Sequence, residues 1–203
     1  SNIFDQQRVI PIGSFYIDYM VCKNKTEEIE NLREARYVVA VTGQEAIEHK
    51  LLPFLIETAN LSKDILYIYI PRGHSSDFYQ NVIFPGNIIF LDKHDFYEII
   101  KSADIHATVF STCALEAPSF GVPNIMINID NMAIEYYRDF LSDTRMTSYV
   151  ETPQEFVEKT LEIIALKSSK PRTQETYIAN NYMVNLSKFL EKLVPASKGR
   201  ENC

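Results

Sequence analysis

Residues 95–127 read DFYEIIKSADIHATVFSTCALEAPSFGVPNIMI, and the order of elements in this stretch decides the fold. Phe96, Ile99, Ile100 and Ala103 share one face at helical spacing, so the spacing predicts a helix over 95–103, which Asp104 interrupts. Ile105 to Phe110 is a short apolar run, the pattern of a strand buried on both faces. Ser111 and Thr112 stand where a helix N-cap belongs. A second helix is expected over 113–120, stopped by Gly121 and Pro123, before a strand over 124–129. Helix, strand, small polar turn, helix and strand together make a parallel βαβ crossover.

In an open α/β sheet, ligands bind beyond the carboxyl ends of the strands. Ser111 and Thr112 lie at such an end and also open a helix, so free N–H groups, the helix dipole and two hydroxyls suit an anion, phosphate above all. Glu116, one turn on, is placed to reach a ribose. The plainer alternative is that the two hydroxyls only cap the helix and that Glu116 is a solvated carboxylate.

Outward from this stretch the same grammar repeats. YVVAV over 37–41 is a strand, followed by Thr42-Gly43-Gln44 and a helix over 45–60 that contains Pro53. ILYIYI over 65–70 is the next strand, and it ends in Pro71-Arg72-Gly73-His74. Arg72 can pair with phosphate, and His74 can donate to it or act as acid and base. A short strand is expected over 87–91, a helix around 132–141 and a strand over 147–150. Thr152 caps a helix beginning at Pro153 and running to about 166, and a last amphipathic helix is expected over about 174–194. The N-terminal 36 residues read as a short apolar run, a turn at Gly13-Ser14 and a charged helix or linker. The domain reading is a lead-in over 1–36, a Rossmann-like domain over 37–166, and a terminal helix and tail over 167–203. Six strands alternating with helices imply an α/β fold with a doubly wound, mainly parallel sheet. No GxGxxG occurs, which disfavours a dinucleotide-dependent dehydrogenase.

Composition narrows the chemistry. A formal net charge of -7 over 203 residues argues against nucleic acid as a partner. Cys22, Cys113 and Cys203 are odd in number and widely spaced, with no metal-binding pattern, which points to a reducing compartment. Cys113 reads as a small packing residue, and His49, His94 and His106 as structural or solvated groups. No apolar run reaches the length of a membrane span.

The order IPIGSFYID, VVAVTGQ, YIYIPRGH and the 95–127 stretch resembles the carboxy-terminal domain of GT-B glycosyltransferases over residues 3–165. Within that group it is most similar to the capsule and teichoic-acid branch, the polysialyltransferase-like and CDP-glycerol glycerophosphotransferase-like enzymes. The resemblance implies a domain that binds a nucleotide-activated sugar as substrate, with no cofactor and no metal. It implies donor phosphates at Ser111 and Thr112, ribose at Glu116, and a leaving phosphate assisted by Arg72 and a catalytic His74. Ser75 follows His74 where the family has Pro. Gly13 and Ser14 match the entry into the donor domain, and Gly43 with Gln44 match the loop after its first strand. The implied partners are a nucleotide-sugar donor, a glycan or polyol-phosphate acceptor and an N-terminal acceptor-binding domain. The implied location is cytoplasmic, with membrane association through that other domain. A complete enzyme of this kind needs two Rossmann domains, so the chain, which opens on Ser-Asn, is expected to be the donor-binding half. The competing expectations are the equivalent half of a UDP-N-acetylglucosamine 2-epimerase and a non-catalytic interaction module with Tyr136, Tyr137, Tyr177 and Tyr182 at its interface. The Ser-Gly-Gly turn usual in epimerases is absent at 111–113.

Overall fold

The six apolar runs form one parallel sheet. The computed structural model describes residues 9–25, 27–32, 37–73, 79, 81–93, 95–141, 146–167 and 176–193. Its strands are β1 (Tyr37–Thr42), β2 (Ile65–Ile70), β3 (Ile88–Phe90), β4 (Ile105–Thr108), β5 (Asn124–Ile127) and β6 (Thr147–Val150), in the order β3-β2-β1-β4-β5-β6. Every neighbouring pair is parallel. The order reverses between β1 and β4, and that switch opens a crevice at the carboxyl edge. This is the Rossmann-like architecture expected from the sequence.

Both faces of the sheet are covered, which explains why its strands read as continuous apolar runs. Successive side chains still alternate. Val39, Val41, Tyr67 and Tyr69 point to one core, with Leu51 and Leu55 of α3 (Glu48–Leu61) and Phe156 of α7 (Pro153–Lys167). Val38, Ala40, Leu66 and Ile68 point to the other, with Ile29 of α2 (Glu27–Leu32) and Ile99 and Ile100 of α4 (Phe96–Ser102). α7 starts as the sequence indicates. The Thr152 hydroxyl accepts from the Glu155 N–H at 3.2 Å, and the Glu155 carboxylate accepts from the Glu151 N–H at 2.8 Å.

Several elements differ from the sequence reading. Phe15–Cys22 is a helix, α1, within the segment read as apolar run and turn, and the Ser14 hydroxyl accepts from the Ile17 N–H at its start. The helix after Thr112 is split into α5 (Cys113–Glu116) and a 3₁₀ turn over Ala117–Phe120. Pro118 has no N–H for Ala114, whose carbonyl is taken instead by the Asn124 side-chain amide at 2.7 Å. A left-handed Gly121 (φ 69) ends the turn. The helix after β5, α6, covers Met132–Tyr137, and the terminal helix α8 covers Tyr182–Leu193.

A buried polar line crosses the sheet beneath the carboxyl edge. The His106 ring lies between β1 and β5, with Nε2 at 3.0 Å from the Thr42 hydroxyl and Nδ1 at 2.7 Å from the Asn124 amide oxygen. That oxygen only accepts, so Nδ1 carries the proton and Nε2 accepts from Thr42. Burial holds the His106 pKa down at about 4, so the ring is neutral. The unfolded chain takes up a proton near pH 6.5 and the folded chain does not. This contribution to stability is therefore complete above about pH 6.5 and declines as pH falls toward 4. Between pH 7 and pH 5 the loss from this one ring is about 2 kcal/mol. Urea unfolding at the two pH values should show it, and His106→Gln should remove most of that pH difference while lowering stability at pH 7. An unchanged pH difference in the variant would rule this origin out.

Candidate functional site

A cavity of about 450 Å³ opens at the carboxyl edge, on the side of the sheet that carries α4 and α5. Its wall comes from three connections. Ile70 ends β2 and Pro71 and Arg72 follow it, Asp92 follows β3, and Thr112, Cys113 and Glu116 follow β4. The start of α4 closes it with Asp95, Phe96 and Tyr97. Asp95 is fixed there as the α4 N-cap, accepting from the Tyr97 N–H at 2.9 Å, and its other oxygen accepts from the Tyr16 hydroxyl of α1 at 3.0 Å. α1 thereby becomes part of the rim.

Inside, the Tyr97 hydroxyl donates to Glu116 Oε2 at 3.0 Å. Burial raises the Glu116 pKa, opposed by the Tyr97 hydrogen bond and the charge of Arg72. Burial likewise raises the Tyr97 hydroxyl, aided by the Glu116 charge. The Arg72 guanidinium lies 3.4 Å from Cys113 Sγ. Burial raises the Cys113 thiol, opposed by the Ser111 hydrogen bond and the charge of Arg72. Arg72 is the cavity's one basic wall residue among the described residues, against the carboxylates of Asp92, Asp95 and Glu116. Among the described residues no group of three or more His, Cys, Asp or Glu is arranged to hold a metal ion.

The sequence-derived site residues divide into two sets. Arg72, Thr112 and Glu116 come together on the cavity wall. Ser111 stands behind them, where its hydroxyl accepts from the Cys113 N–H at 3.3 Å and its own N–H donates to the Thr108 hydroxyl at 3.3 Å. The first N–H groups of α5 are thus partly satisfied within the turn, and the exposed Thr112 hydroxyl is the one that faces the cavity. Gln44 accepts from the Phe110 N–H at 2.9 Å and ties the β1 loop to the β4 loop. Gly43 is buried beneath them. Gly13 (φ 88) and Ser14 lie at the start of α1, packed against the Ala179 backbone near α8. His74 and His94 lie outside the described residues. Tyr97, Asp92 and Asp95 were missed by sequence reasoning. Asp95 carried a signal, since it sits at a helix start just past a strand end.

No protein-family model and no curated protein matches the sequence. Solved structures do match. A provisionally named UDP-N-acetylglucosamine 2-epimerase from Listeria monocytogenes superposes with a TM-score of 0.66 at 15% identity, over 94% of this chain and 54% of its own. The wall teichoic acid polymerase TagF gives 0.60 at 14% identity, over 95% of this chain and 53% of its own. A UDP-GlcNAc 2-epimerase from Methanocaldococcus jannaschii, in complex with UDP-GlcNAc and UDP, gives 0.60 at 12% identity, over 94% and 56%. The chain has the fold of one Rossmann-like domain of GT-B proteins, and it spans about half the length of these neighbours.

The Gly43 position yields a test of which residues are structural. A Cβ there would lie 2.2 Å from the Tyr69 hydroxyl oxygen and 3.0 Å from a Glu48 carboxylate oxygen. Gly43→Ala should cost about 1–3 kcal/mol of stability by overpacking. The Tyr69 hydroxyl is buried with no hydrogen-bond partner among the described residues. Adding Tyr69→Phe should therefore recover much of the loss in thermal unfolding, and equal melting temperatures for Gly43→Ala with and without it would contradict this packing account.

Proposed function

We propose that this chain is the donor-nucleotide-binding half of a glycosyltransferase or glycerophosphotransferase acting in surface-polysaccharide synthesis. The observation that carries this is the carboxyl-edge cavity in which Arg72, Thr112, Glu116 and Tyr97 stand on one wall. Arg72 offers paired N–H donors to a phosphate, and the Thr112 hydroxyl offers another. Glu116 keeps Oε1 for ribose hydroxyls while Tyr97 occupies Oε2. Sugar or glycerol-phosphate transfer needs negative charge on the departing nucleotide phosphate stabilised as it develops, and positioned donors do that. His74, next but one after Arg72, is the proposed donor to that phosphate. The acceptor and its general base belong to a second domain, and a cytoplasmic setting with membrane association through that domain completes the reading. TagF among the structural neighbours supports a teichoic-acid-type transferase.

The second reading is the matching half of a sugar-nucleotide 2-epimerase, favoured by the epimerases among the neighbours. The glycine-free turn Ser111-Thr112-Cys113 weighs for the transferase.

Titration with UDP, CDP, CMP and GDP, followed by amide chemical shifts, tests the nucleotide site. One of them should bind and shift Arg72, Tyr97, Thr112 and Glu116 together. Arg72→Gln combined with Thr112→Ala should weaken that binding by roughly tenfold or more, since charge-assisted bonds are lost, with unfolding unchanged. A variant that binds as well as the parent would sink the assignment. Because Glu116 accepts as a carboxylate and its pKa is raised, affinity should fall as pH is lowered from neutral through that raised pKa. Glu116→Gln should flatten this part of the profile, leaving only the titration of the ligand phosphate.

A further inference from the structure

We infer that the exposed ring of Tyr136, stacked on the half-buried ring of Phe110, is the seat of the sugar ring carried by the nucleotide, an assignment that rests on the nucleotide site proposed above. Phe110 immediately precedes Ser111 and lies two positions before Thr112 on the cavity wall. Two residues of chain span at most about 7 Å, so the aromatic pair adjoins the proposed phosphate turn.

The pair is held rigidly from behind. The Phe110 N–H donates to Gln44 at 2.9 Å, and its carbonyl accepts from the Tyr137 hydroxyl at 3.3 Å. The Tyr136 ring stacks on Phe110 with centroids 5.1 Å apart and planes 19° apart. Yet Tyr136 is 59% exposed, and Phe140 one turn later is 71% exposed. Neither ring is needed to anchor α6, because Ala133 and Tyr137 already pack it on Ala114 and Met126. Phe110 packs back onto the core, and the open face of Tyr136, with Phe140 one turn later, presents an apolar surface that the fold does not itself bury.

The rim of that surface is polar. The exposed Thr112 supplies a hydroxyl from the turn, and Glu135, next to Tyr136 in the chain, accepts from Asn131 at 3.3 Å. An apolar platform edged with donors and acceptors matches a pyranose, whose C–H face stacks on aromatic rings while its hydroxyls bond outward. With ribose at Glu116 and phosphate at Arg72 and Thr112, the group beyond the phosphate reaches Phe110.

The test compares each nucleotide with its sugar conjugate: UDP against UDP-N-acetylglucosamine, and CMP against CMP-sialic acid. For the nucleotide that binds, the conjugate should bind about 3- to 10-fold more tightly, the range a stacked ring contributes. Its sugar protons should receive saturation transfer when the protein's aromatic protons are irradiated. Tyr136→Ala should remove the conjugate's advantage and leave the bare nucleotide's affinity unchanged, whereas Tyr136→Phe should keep the advantage. Should the alanine variant unfold, Tyr136→Leu, which keeps bulk without a flat ring, should lose the advantage in its place. Nucleotide binding with no advantage for the conjugate, or an advantage that survives Tyr136→Ala, overturns the sugar seat and spares the nucleotide site. Failure of every bare nucleotide to bind overturns the nucleotide site and the seat with it. Concentration-dependent self-association of the parent that Tyr136→Ala abolishes would assign the rings to an interface between copies and overturn the seat.

Discussion

The site depends on one buried line of hydrogen bonds running from Thr42 through His106 to Asn124, across the strands on either side of the topological switch. A parallel sheet covered on both faces has no water to satisfy polar groups near its carboxyl edge. The side chains do it instead. Thr108 bonds to the Thr42 carbonyl and receives the Ser111 N–H, and Gln44 receives the Phe110 N–H. Asn124 takes the Ala114 carbonyl that Pro118 leaves free. These groups end β4 at Thr108 and fix where the next turn begins. The neutral His106 is the compromise that makes this possible, since an imidazolium at that depth would have no counter-charge in contact.

The same architecture sets the electrostatics of the cavity. Among the described residues one guanidinium and three carboxylates line it, in a chain of net charge -7. Such a wall does not attract polyanions in general. In the proposed reading a phosphate sits at Arg72 and the adjacent hydroxyl, and the carboxylates reward ligands that also carry hydroxyl or amide donors. On the proposed reading this charge pattern favours a nucleotide over a free phosphate.

The fold was legible in the sequence because a doubly covered parallel sheet writes itself as short apolar runs, and Val38–Val41 and Leu66–Ile70 are such runs. The turn residues were legible as well, since Ser111, Gly121 and Thr152 act locally. What escaped was contact at long range. Nothing near Asp95 in the chain announces that Tyr16 reaches it across 79 positions, or that Tyr97 meets Glu116. Gly43 signalled a tight turn, whereas the structure shows a backbone pressed against Tyr69 and Glu48. Gln44, next in the chain, instead reaches across to bond the β4 loop. The split of α5 from its 3₁₀ turn was written in Pro118, and the pattern of apolar residues concealed it.

α1 gives the cavity a mechanical connection to the rest of the chain. Its Tyr16 holds Asp95 on the rim and packs edge-on against Tyr97 with centroids 5.2 Å apart. Its Asp18 accepts from the Tyr182 N–H at 2.6 Å, where α8 begins, and Phe15 packs on the Tyr182 ring. Gly13 abuts the Ala179 backbone so closely that no side chain fits there. The N-terminal segment therefore clamps the C-terminal helix at one end and the site at the other. α8 contributes no buried residue among those described, and Met183, Val184, Leu190 and Leu193 lie open on it. Asp18 and Tyr16 thus connect the start of α8 to Asp95, the N-cap of α4, and so to the wall that carries Tyr97. The segment that sequence alone presents as a lead-in thus joins the last described helix to the rim of the cavity.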